Sequence, residues 1–413
     1  MPGSAQALRV FRVIDTGLRA GRAQIAFDQA MIEAHKARAI PDTIRFLRFP
    51  PTVLIGRHQA LSHEVRVAWC RANGIGIVRR ITGGGAIWFD EGQLGWSLVF
   101  DRATLPIASL GDLAREICEA AASGLRRLGV DARYRPRNDI EVAGRKLSGT
   151  GGFFDGNTLF YQGTVLVDMD AQRMLAALNV PEAKLARRSL DSAAQRVVTL
   201  KELLGYAPPL AEVRSALLTG FAEGLGIAAV AGAITDGEEA LALRYHDDEI
   251  GTDAFVESID DPASADGAAS TGAAFADATS ADATSAGAAF VGAAFVDARV
   301  LTGARVLSAT RSGSGGTITA WVRLEGPRLS RLREVLLTGD FFVAPPRTVL
   351  DLEAALRGTA AADVLATVQG FFANAKPGLL SVTPEDFAGA IAAAIDSTAH
   401  AIAPAIESPG AQS

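Results

Sequence analysis

Apolar and polar positions in the N-terminal part of the chain predict helices mixed with short strands. Apolar residues recur at helical spacing over residues 23–36, and two apolar runs at 44–49 and 52–55 are typical of strands. A second helix is predicted over 113–128, with Ser109 and Asp112 in position to form its capping box. Cys118 is expected to pack beside this helix.

The C-terminal part of the chain has mixed patterns of the same kind. Residues 305–310 and 317–324 flank a glycine-rich stretch at 311–316, which predicts a hairpin with a glycine loop. Helical patterns follow at 349–356, 361–372 and 384–394. Because strands and helices do not alternate regularly in either half, the sequence predicts an α+β fold and not a doubly wound sheet.

A change of composition separates the two halves. Between Tyr245 and Ala298 there are eleven acidic residues and no Lys or Arg, and the unit Ala-Asp-Ala-Thr-Ser occurs twice in tandem. Small-residue repeats bury too little apolar area to offset the entropy of ordering, so residues 260–297 are predicted to be a disordered or weakly ordered insert. A partner-binding segment is the alternative. The predicted division is an N-terminal domain over 1–245, the insert over 246–298, a small domain over 299–400 and a disordered tail over 401–413.

Overall charge and cysteine content narrow the classes of protein. The 413 residues carry a net charge of −6, which argues against a nonspecific nucleic-acid binder. The acidic insert accounts for this value, and the remainder of the chain stands at +5. Two cysteines make neither a disulfide scaffold nor a four-thiolate zinc site, and the N-terminus lacks the pattern of a secretory signal. We therefore expect a cytoplasmic protein that does not bind membranes.

A glycine-rich segment, Val78 to Asp90, is the first candidate for chemistry. It begins as a β-branched strand and runs into Gly83, Gly84 and Gly85, whose backbone N–H groups can approach an anionic or carbonyl ligand closely. Arg79 and Arg80 bring positive charge to this turn. The alternative is a tight hairpin with surface arginines. The segment is neither a Walker A loop nor a dinucleotide fingerprint.

The second candidate segment runs from Arg137 to Gly149. It is predicted to be a strand, a turn at Ala143 and Gly144, and a second strand that presents Lys146 before a flexible glycine stretch. A lysine in this place can stabilise charge that develops on a phosphoryl or acyl oxygen. Asn138 and Asp139 precede the turn, where a carboxylate can take Mg²⁺ through water. A solvated lysine and a plain turn aspartate are the alternatives.

These motifs, together with Gly163-Thr-Val-Leu, resemble the lipoate-protein ligase family, which belongs with biotin ligases and octanoyltransferases. The resemblance implies a mixed-sheet catalytic domain of that type, and a reaction that makes lipoyl-AMP from lipoate and ATP with Mg²⁺. The lipoyl group would then pass to a lysine of an acceptor domain, with Lys146 as the catalytic residue and Asp139 near the metal. A monomer is expected. The substrate and nucleotide residues implied by the motifs are Arg79, Thr82, Gly83, Gly84, Gly85, Ala86, Asn138, Asp139, Ser148, Gly149, Gly163 and Thr164.

The tail of the chain resembles the small accessory domain of these ligases, through Leu337-Thr-Gly-Asp-Phe-Phe and a pattern around Glu353. In the family this domain supports adenylation. Two positions depart from the family pattern: Phe89 and Gln162 stand where the family often has histidine. These departures predict changed substrate contacts and not a loss of activity.

Three other functions remain open at the level of sequence. An ATP-independent octanoyl or lipoyl transferase would take acyl groups from a carrier, and some relatives use a cysteine nucleophile for this. Neither Cys70 nor Cys118 lies in a recognisable nucleophile motif. Biotin ligases typically have a different glycine motif. A non-catalytic acyl-binding protein is the third alternative, against which the joint presence of the charged motif residues argues.

Overall fold

The computed structural model describes residues 9–107, 109–136, 138–179, 196–262, 306–313, 315–375, 377 and 379–402. Most of the predicted insert, the tail beyond 402, and Arg137 of the second motif lie outside this range. No helix in the described residues is long and apolar enough to cross a membrane.

The described strands are β1 Arg9–Leu18, β2 Thr43–Arg48, β3 Thr52–Ile55, β4 Gly76–Arg79, β5 Ile87–Phe89, β6 Gln93–Asp101, β7 Arg133–Arg135, β8 Asp139–Val142, β9 Arg145–Asp155, β10 Thr158–Leu166, β11 Ile227–Ala231, β12 Leu307–Gly313, β13 Gly316–Glu325, β14 Arg331–Gly339, β15 Val343–Ala344 and β16 Leu379–Leu380. The α-helices are α1 Gly21–Lys36, α2 Leu61–Glu64, α3 Val67–Ala72, α4 Leu110–Arg126, α5 Ala171–Ala177, α6 Leu200–Leu204, α7 Leu210–Leu225, α8 Asp236–Tyr245, α9 Asp253–Val256, α10 Arg347–Leu356, α11 Val364–Ala375 and α12 Pro384–Ile402. A π-helix, His246–Ile250, follows α8 directly.

The N-terminal body is built on an eight-stranded mixed sheet with the order β11-β1-β2-β6-β10-β9-β8-β7. Strand β1 pairs in parallel with β2 and β11. On the other side of β2, the neighbouring strands β2, β6, β10, β9, β8 and β7 pair antiparallel in that order. A second sheet, β4-β3-β5, carries the glycine-rich segment. The fold is therefore α+β, as the sequence predicts.

Both faces of the main sheet are covered by helices. One core joins the sheet to α4 and α7, through residues such as Ile117 and Phe221. The second core lies under α1 and includes Phe27, Met31 and Ala242 of α8. Helices α4 and α7 approach closely because Gly220 has no side chain: a Cβ there would lie 2.3 Å from the carbonyl oxygen of Ala120.

Most predicted elements are present, with small changes of boundary. Ser109 caps α4 by accepting from the backbone N–H of Asp112 at 3.1 Å, as its position in the sequence predicts. The predicted glycine loop at 311–316 is wrong in extent, because β12 continues to Gly313 and pairs there with Gly316 of β13. The remaining predicted helices of the tail correspond to α10, α11 and α12.

The described residues 306–402, called here the C-terminal module, have a core of their own around Val322, Leu352 and Phe387. Residues 246–262, assigned by composition to the insert, form the π-helix and α9, and they bury Ile250, Phe255 and Ile259 against neighbouring elements. The division into domains remains a prediction.

Candidate active site

A cavity of about 380 Å³ opens between the two sheets of the N-terminal body. Its lining includes Thr82 to Ala86 of the glycine turn, Asn138, Lys146, Gly149, and Gln162 to Thr164 of β10. Most of the residues that the sequence nominates are thus brought to one place, although they come from three separate segments. The cavity also has a wide apolar wall, which includes Leu47 and Phe49.

The cavity crosses the main sheet from β9 towards β2. Cross-strand pairs place Arg45 opposite Ser97, Ser97 opposite Gln162, and Gln162 opposite Gly151. Gln162 and Gly151 line the cavity on one side, and Leu47 of β2 lines it on the other. Three strand spacings separate β9 from β2, which is about 14 Å. This length suits an extended acyl chain.

Lys146 lies at the β9 side of the cavity, where two backbone bonds fix its position. Its N–H donates to the carbonyl of Arg196 at 2.7 Å, and its carbonyl accepts from the N–H of Val198 at 2.9 Å. The Lys146 ammonium contacts Asp139 Oδ1 at 2.7 Å, and the second oxygen of Asp139 accepts from Arg135 at 2.5 Å. Asp139 does not itself line the cavity; it holds the lysine that does.

The glycine turn is ordered by Arg80. This buried guanidinium donates to the carbonyls of Leu54, Gly83 and Gly85 at 2.7 to 3.1 Å. Burial lowers the pKa of Arg80 to about 10, so the group stays charged at neutral pH. Arg80 therefore fixes the turn and lines the cavity at the same time.

The C-terminal module packs against the glycine turn. The sequence predicts the glycines only as ligand contacts and does not predict this packing. The Gly84 N–H donates to the Phe341 carbonyl at 3.3 Å, and a Cβ on Gly83 would lie 2.3 Å from that carbonyl oxygen. The Phe342 ring lies against Gly84 and lines the cavity together with Asp340. Two of the three glycines are thus needed for the close approach of the module.

Arg79 lies outside the cavity lining, although the sequence nominates it for the ligand site. Its side chain is 0% exposed and donates to the carbonyls of Gln59, Val256 and Ile259 at 2.7 to 2.8 Å, besides weaker contacts to neighbouring carbonyls. Burial lowers the pKa of Arg79 to about 9. The guanidinium ties the loop after β3 to the segment after α9, so its role in this structure is to hold the scaffold. Ser148 is also buried outside the lining, and its hydroxyl has no partner among the described residues.

Both departures from the family pattern lie in the cavity wall. The Gln162 amide donates to the Thr82 hydroxyl at 3.0 Å, so it links β10 to the glycine turn. Phe89 packs against Phe49 with ring centroids 4.6 Å apart. A histidine at position 89 would make the wall more polar than it is in this chain, whereas at position 162 it would replace one polar side chain with another.

Asp28 is a cavity residue that motif reasoning misses. It lies on α1, it is 1% exposed, and its carboxylate forms an ion pair with Arg45 of β2 at 2.6 Å. The signal in the sequence is an acidic residue at helical spacing between Ile25 and Ile32 on an apolar face. A buried acid on such a face requires a partner.

Neither cysteine belongs to the cavity lining formed by the described residues. Cys70 is the buried residue of α3, and burial raises its thiol pKa to about 11. Cys118 lies in the core behind Thr150, with Sγ 3.3 Å from the Thr150 hydroxyl, and burial raises its pKa. Reactive thiols need a lowered pKa and access, and these two groups have neither.

No cluster of three or more His, Cys, Asp or Glu side chains able to hold a metal occurs in the described ranges. Asp139 is the carboxylate nominated for Mg²⁺, and both of its oxygens are paired with cationic side chains. Within the part of the chain that the structure describes, the residues therefore do not fit a resident magnesium site.

Comparison with known proteins places these features in one family. The family model for the lipoyl protein ligase A/B catalytic domain matches residues 21–222. An octanoyltransferase LipM of Symbiobacterium thermophilum is 32% identical over 266 residues, which cover 59% of this chain and 96% of that protein. The chain belongs to the lipoate-protein ligase and octanoyltransferase family.

Solved structures agree with this family assignment. A bipartite lipoate protein ligase of Thermoplasma acidophilum, solved in a study of that enzyme and its E2 lipoyl domain, is 28% identical with a TM-score of 0.54, and the match covers 60% of this chain and 96% of that one. The lipoate complex of LipL1 from P. falciparum has a TM-score of 0.63 over 93% of this chain and 98% of that one. At 12% identity, the second likeness concerns the fold alone. The fold is that of the lipoate ligases.

Proposed function

We propose that the protein is an ATP-dependent lipoate-protein ligase, which forms lipoyl-AMP from lipoate and ATP and then transfers the lipoyl group to a lysine of an acceptor domain. The observation that carries this proposal is the contrast between Lys146 and the cysteines. The lysine lines the cavity, whereas both thiols are buried away from the lining formed by the described residues. Such a site is suited to adenylate chemistry and poorly suited to a thioester intermediate.

In the proposed first step, a carboxylate oxygen of lipoate attacks the α-phosphorus of ATP and pyrophosphate leaves. Negative charge develops on the nonbridging oxygens, and the Lys146 ammonium can stabilise it after leaving Asp139. Magnesium is written here as part of the MgATP substrate, whose phosphates would hold it, because both oxygens of Asp139 are already paired with cations. Asp139 and Arg135 keep the lysine at the cavity wall before the substrate arrives.

In the proposed second step, the amine of the acceptor lysine attacks the acyl carbonyl and AMP leaves. Lys146 again faces the oxygen on which charge develops. The acceptor is proposed to be a lipoyl domain, as in the system of the Thermoplasma relative, whose study includes an E2 lipoyl domain. The positive remainder of this chain favours an acidic acceptor surface.

An ATP-independent octanoyltransferase is the second candidate, and its support is the similarity to LipM. The two functions make opposite predictions for a Cys70→Ser, Cys118→Ser double variant. As a ligase, this variant should keep full lipoyl transfer with lipoate and ATP, because no thiol takes part. Lipoylation of an acceptor domain, followed by mass spectrometry, measures it.

The control for this assay is Lys146→Ala, which should abolish product in either scheme and so shows that the signal comes from this cavity. If the double variant loses transfer while its melting temperature is unchanged, a cysteine is the nucleophile and the ligase proposal is wrong.

A further inference from the structure

The end of the cavity on the β2 side carries a buried ion pair within apolar surroundings. Asp28 Oδ1 accepts from Arg45 Nη1 at 2.6 Å, and the two side chains are 1% and 0% exposed. The neighbouring cavity wall consists of Ile25, Leu47 and Phe49. A charged pair at the end of an acyl site is unexpected, because an alkyl chain can neither donate nor accept a hydrogen bond.

The two members of this pair differ in what they leave free. All three nitrogens of the Arg45 guanidinium donate to protein oxygens: Nε to Thr16, Nη1 to Asp28 and Nη2 to Gln24. The hydrogen bond between Asp28 and Arg45 uses Oδ1, and among the described residues Oδ2 receives no hydrogen bond. Asp28 also lines the cavity, whereas Arg45 does not. The group that the cavity end offers to a ligand is therefore a hydrogen-bond acceptor.

The charge state of Asp28 also makes this group a hydrogen-bond acceptor. Burial raises the pKa of this carboxyl to about 6, and Arg45 opposes the rise. Above that pH the group is a carboxylate whose second oxygen can only accept. A plain alkyl terminus packed against it would leave a buried acceptor unsatisfied, at a cost in affinity.

We propose that Asp28 selects acyl chains that carry a hydrogen-bond donor at their distal end, such as the reduced dithiol form of lipoate, over plain alkyl chains and the cyclic disulfide. This inference rests on the proposed function, since it names the acyl group that the ligase site takes. The distance across the sheet, about 14 Å from three strand spacings, brings the distal part of an extended chain to Asp28 when its carboxylate is near Lys146. Thiol and hydroxyl groups donate, whereas a methyl group and a disulfide do not.

The test uses the full chain and four acids: octanoate, ω-hydroxyoctanoate, lipoate, and dihydrolipoate kept under argon. Acid-dependent pyrophosphate release at pH 8 gives kcat/KM, and calorimetric titration gives Kd without ATP. The expected result is that both donor-bearing acids exceed octanoate by about tenfold in each measurement, the effect of one charge-assisted hydrogen bond. Equal values for ω-hydroxyoctanoate and octanoate in the wild-type protein overturn the inference, with no variant involved.

Asp28→Asn replaces a hydrogen-bond acceptor with a donor in a side chain of nearly the same shape. The amide oxygen can still accept from Arg45, and an N–H group replaces the free Oδ2. This variant should lose the preference for dihydrolipoate over octanoate and gain affinity for lipoate, whose sulfurs accept weakly. Octanoate serves as the internal reference, because it neither donates nor accepts at its distal end. The matched control, Asp253→Asn, removes an exposed carboxylate that pairs with Arg22 and should leave all ratios unchanged.

The outcomes separate this inference from the proposed function. If no acid releases pyrophosphate, the ligase function fails, and the calorimetric order of the four acids still decides whether Asp28 selects donors. If all acids are adenylated alike and Asp28→Asn lowers only the melting temperature, the ion pair is purely structural and the inference is overturned while the function stands.

Discussion

Gly149 decides where the Lys146 ammonium can lie. A Cβ at this position would be 2.7 Å from both Cε and Nζ of Lys146, so the lysine occupies the space that the missing side chain leaves. Gly149→Ala should push the ammonium away from Asp139 and lower kcat/KM for lipoyl transfer about a hundredfold, as for loss of one preorganised charge donor. Steady-state kinetics of acceptor lipoylation measure this effect.

The matched control is Gly370→Ala in α11, where an added Cβ meets no atom within 4 Å. It should leave kinetics unchanged. Unaltered transfer by Gly149→Ala at the wild-type melting temperature would mean that Lys146 does not act from the position seen here.

The sequence motifs identify the charged residues near the site. They do not distinguish those that face the cavity from those that are buried to hold the backbone in place. Lys146, Asn138 and the glycine turn follow from motifs with regular spacing. Arg79 belongs to the same motif, yet it holds carbonyl groups from residues 56–59 and 255–259. The second of these segments lies 176 to 180 positions away in the sequence, so no local pattern could predict the contact.

The loop between β14 and β15 makes the C-terminal module part of the wall of the candidate cavity. Its Phe342 ring contacts Gly84 and Gly151, and the loop is pinned because the Phe342 N–H donates to the Ser381 hydroxyl at 2.9 Å. Phe342→Ala should open the wall and raise the KM for lipoate and ATP in adenylation by about tenfold, the effect of one lost aromatic contact. Transfer from preformed lipoyl-AMP, which needs no assembly of two substrates, should change less.

Phe371→Ala provides the control for this prediction, since Phe371 is an aromatic residue of the same module that packs in its own core. Equal kinetics for Phe342→Ala and the wild-type protein would show that the loop merely touches the catalytic body.

Helix α10 carries a buried acid that makes the stability of the module depend on pH. Glu353 accepts from the Leu337 N–H at 2.8 Å, and burial raises its pKa from 4.5 to about 8. Between these values the folded chain binds more protons than the unfolded chain, so the free energy of unfolding falls as pH rises from 5 to 8. Glu353→Gln keeps the acceptor and removes the titration.

Urea unfolding at pH 5 and pH 8 tests this point. The variant should lose less stability than the wild-type protein over the interval, whereas exposed Glu325→Gln should behave like wild type. An equal loss in the wild-type protein and Glu353→Gln would show that Glu353 is already ionised in the folded state.

Helices and strands with a clear apolar period were predictable, and their ends were set by contacts that the pattern does not contain. The start of the helix predicted at 113–128 is an exception, since this helix begins at Leu110, directly after the Ser109 cap that the sequence also nominates. Gly313 of β12 still pairs with Gly316 of β13, so both strands extend further than hydrophobicity indicates. The place of the loop at Asp340 to Phe342 depends on two modules meeting, which no single-segment pattern shows.

At the scale of the whole molecule, one cavity receives residues from the main sheet, the glycine turn and the C-terminal module. The mild acidity of the chain belongs to the region between Tyr245 and Ala298, and the remainder is positive. A positive body with a lysine in its cavity suits ATP, an acyl-adenylate and an acidic acceptor domain. The sequence predicted this charge division, while the shared cavity required the structure.

The most direct test of this account is lipoate-dependent exchange of labelled pyrophosphate into ATP, with the full chain and Mg²⁺. A ligase should give exchange that requires lipoate, persists in the double cysteine variant and disappears in Lys146→Ala. Absence of exchange with any acid, together with acyl transfer from an octanoyl thioester by the same preparation, would contradict it.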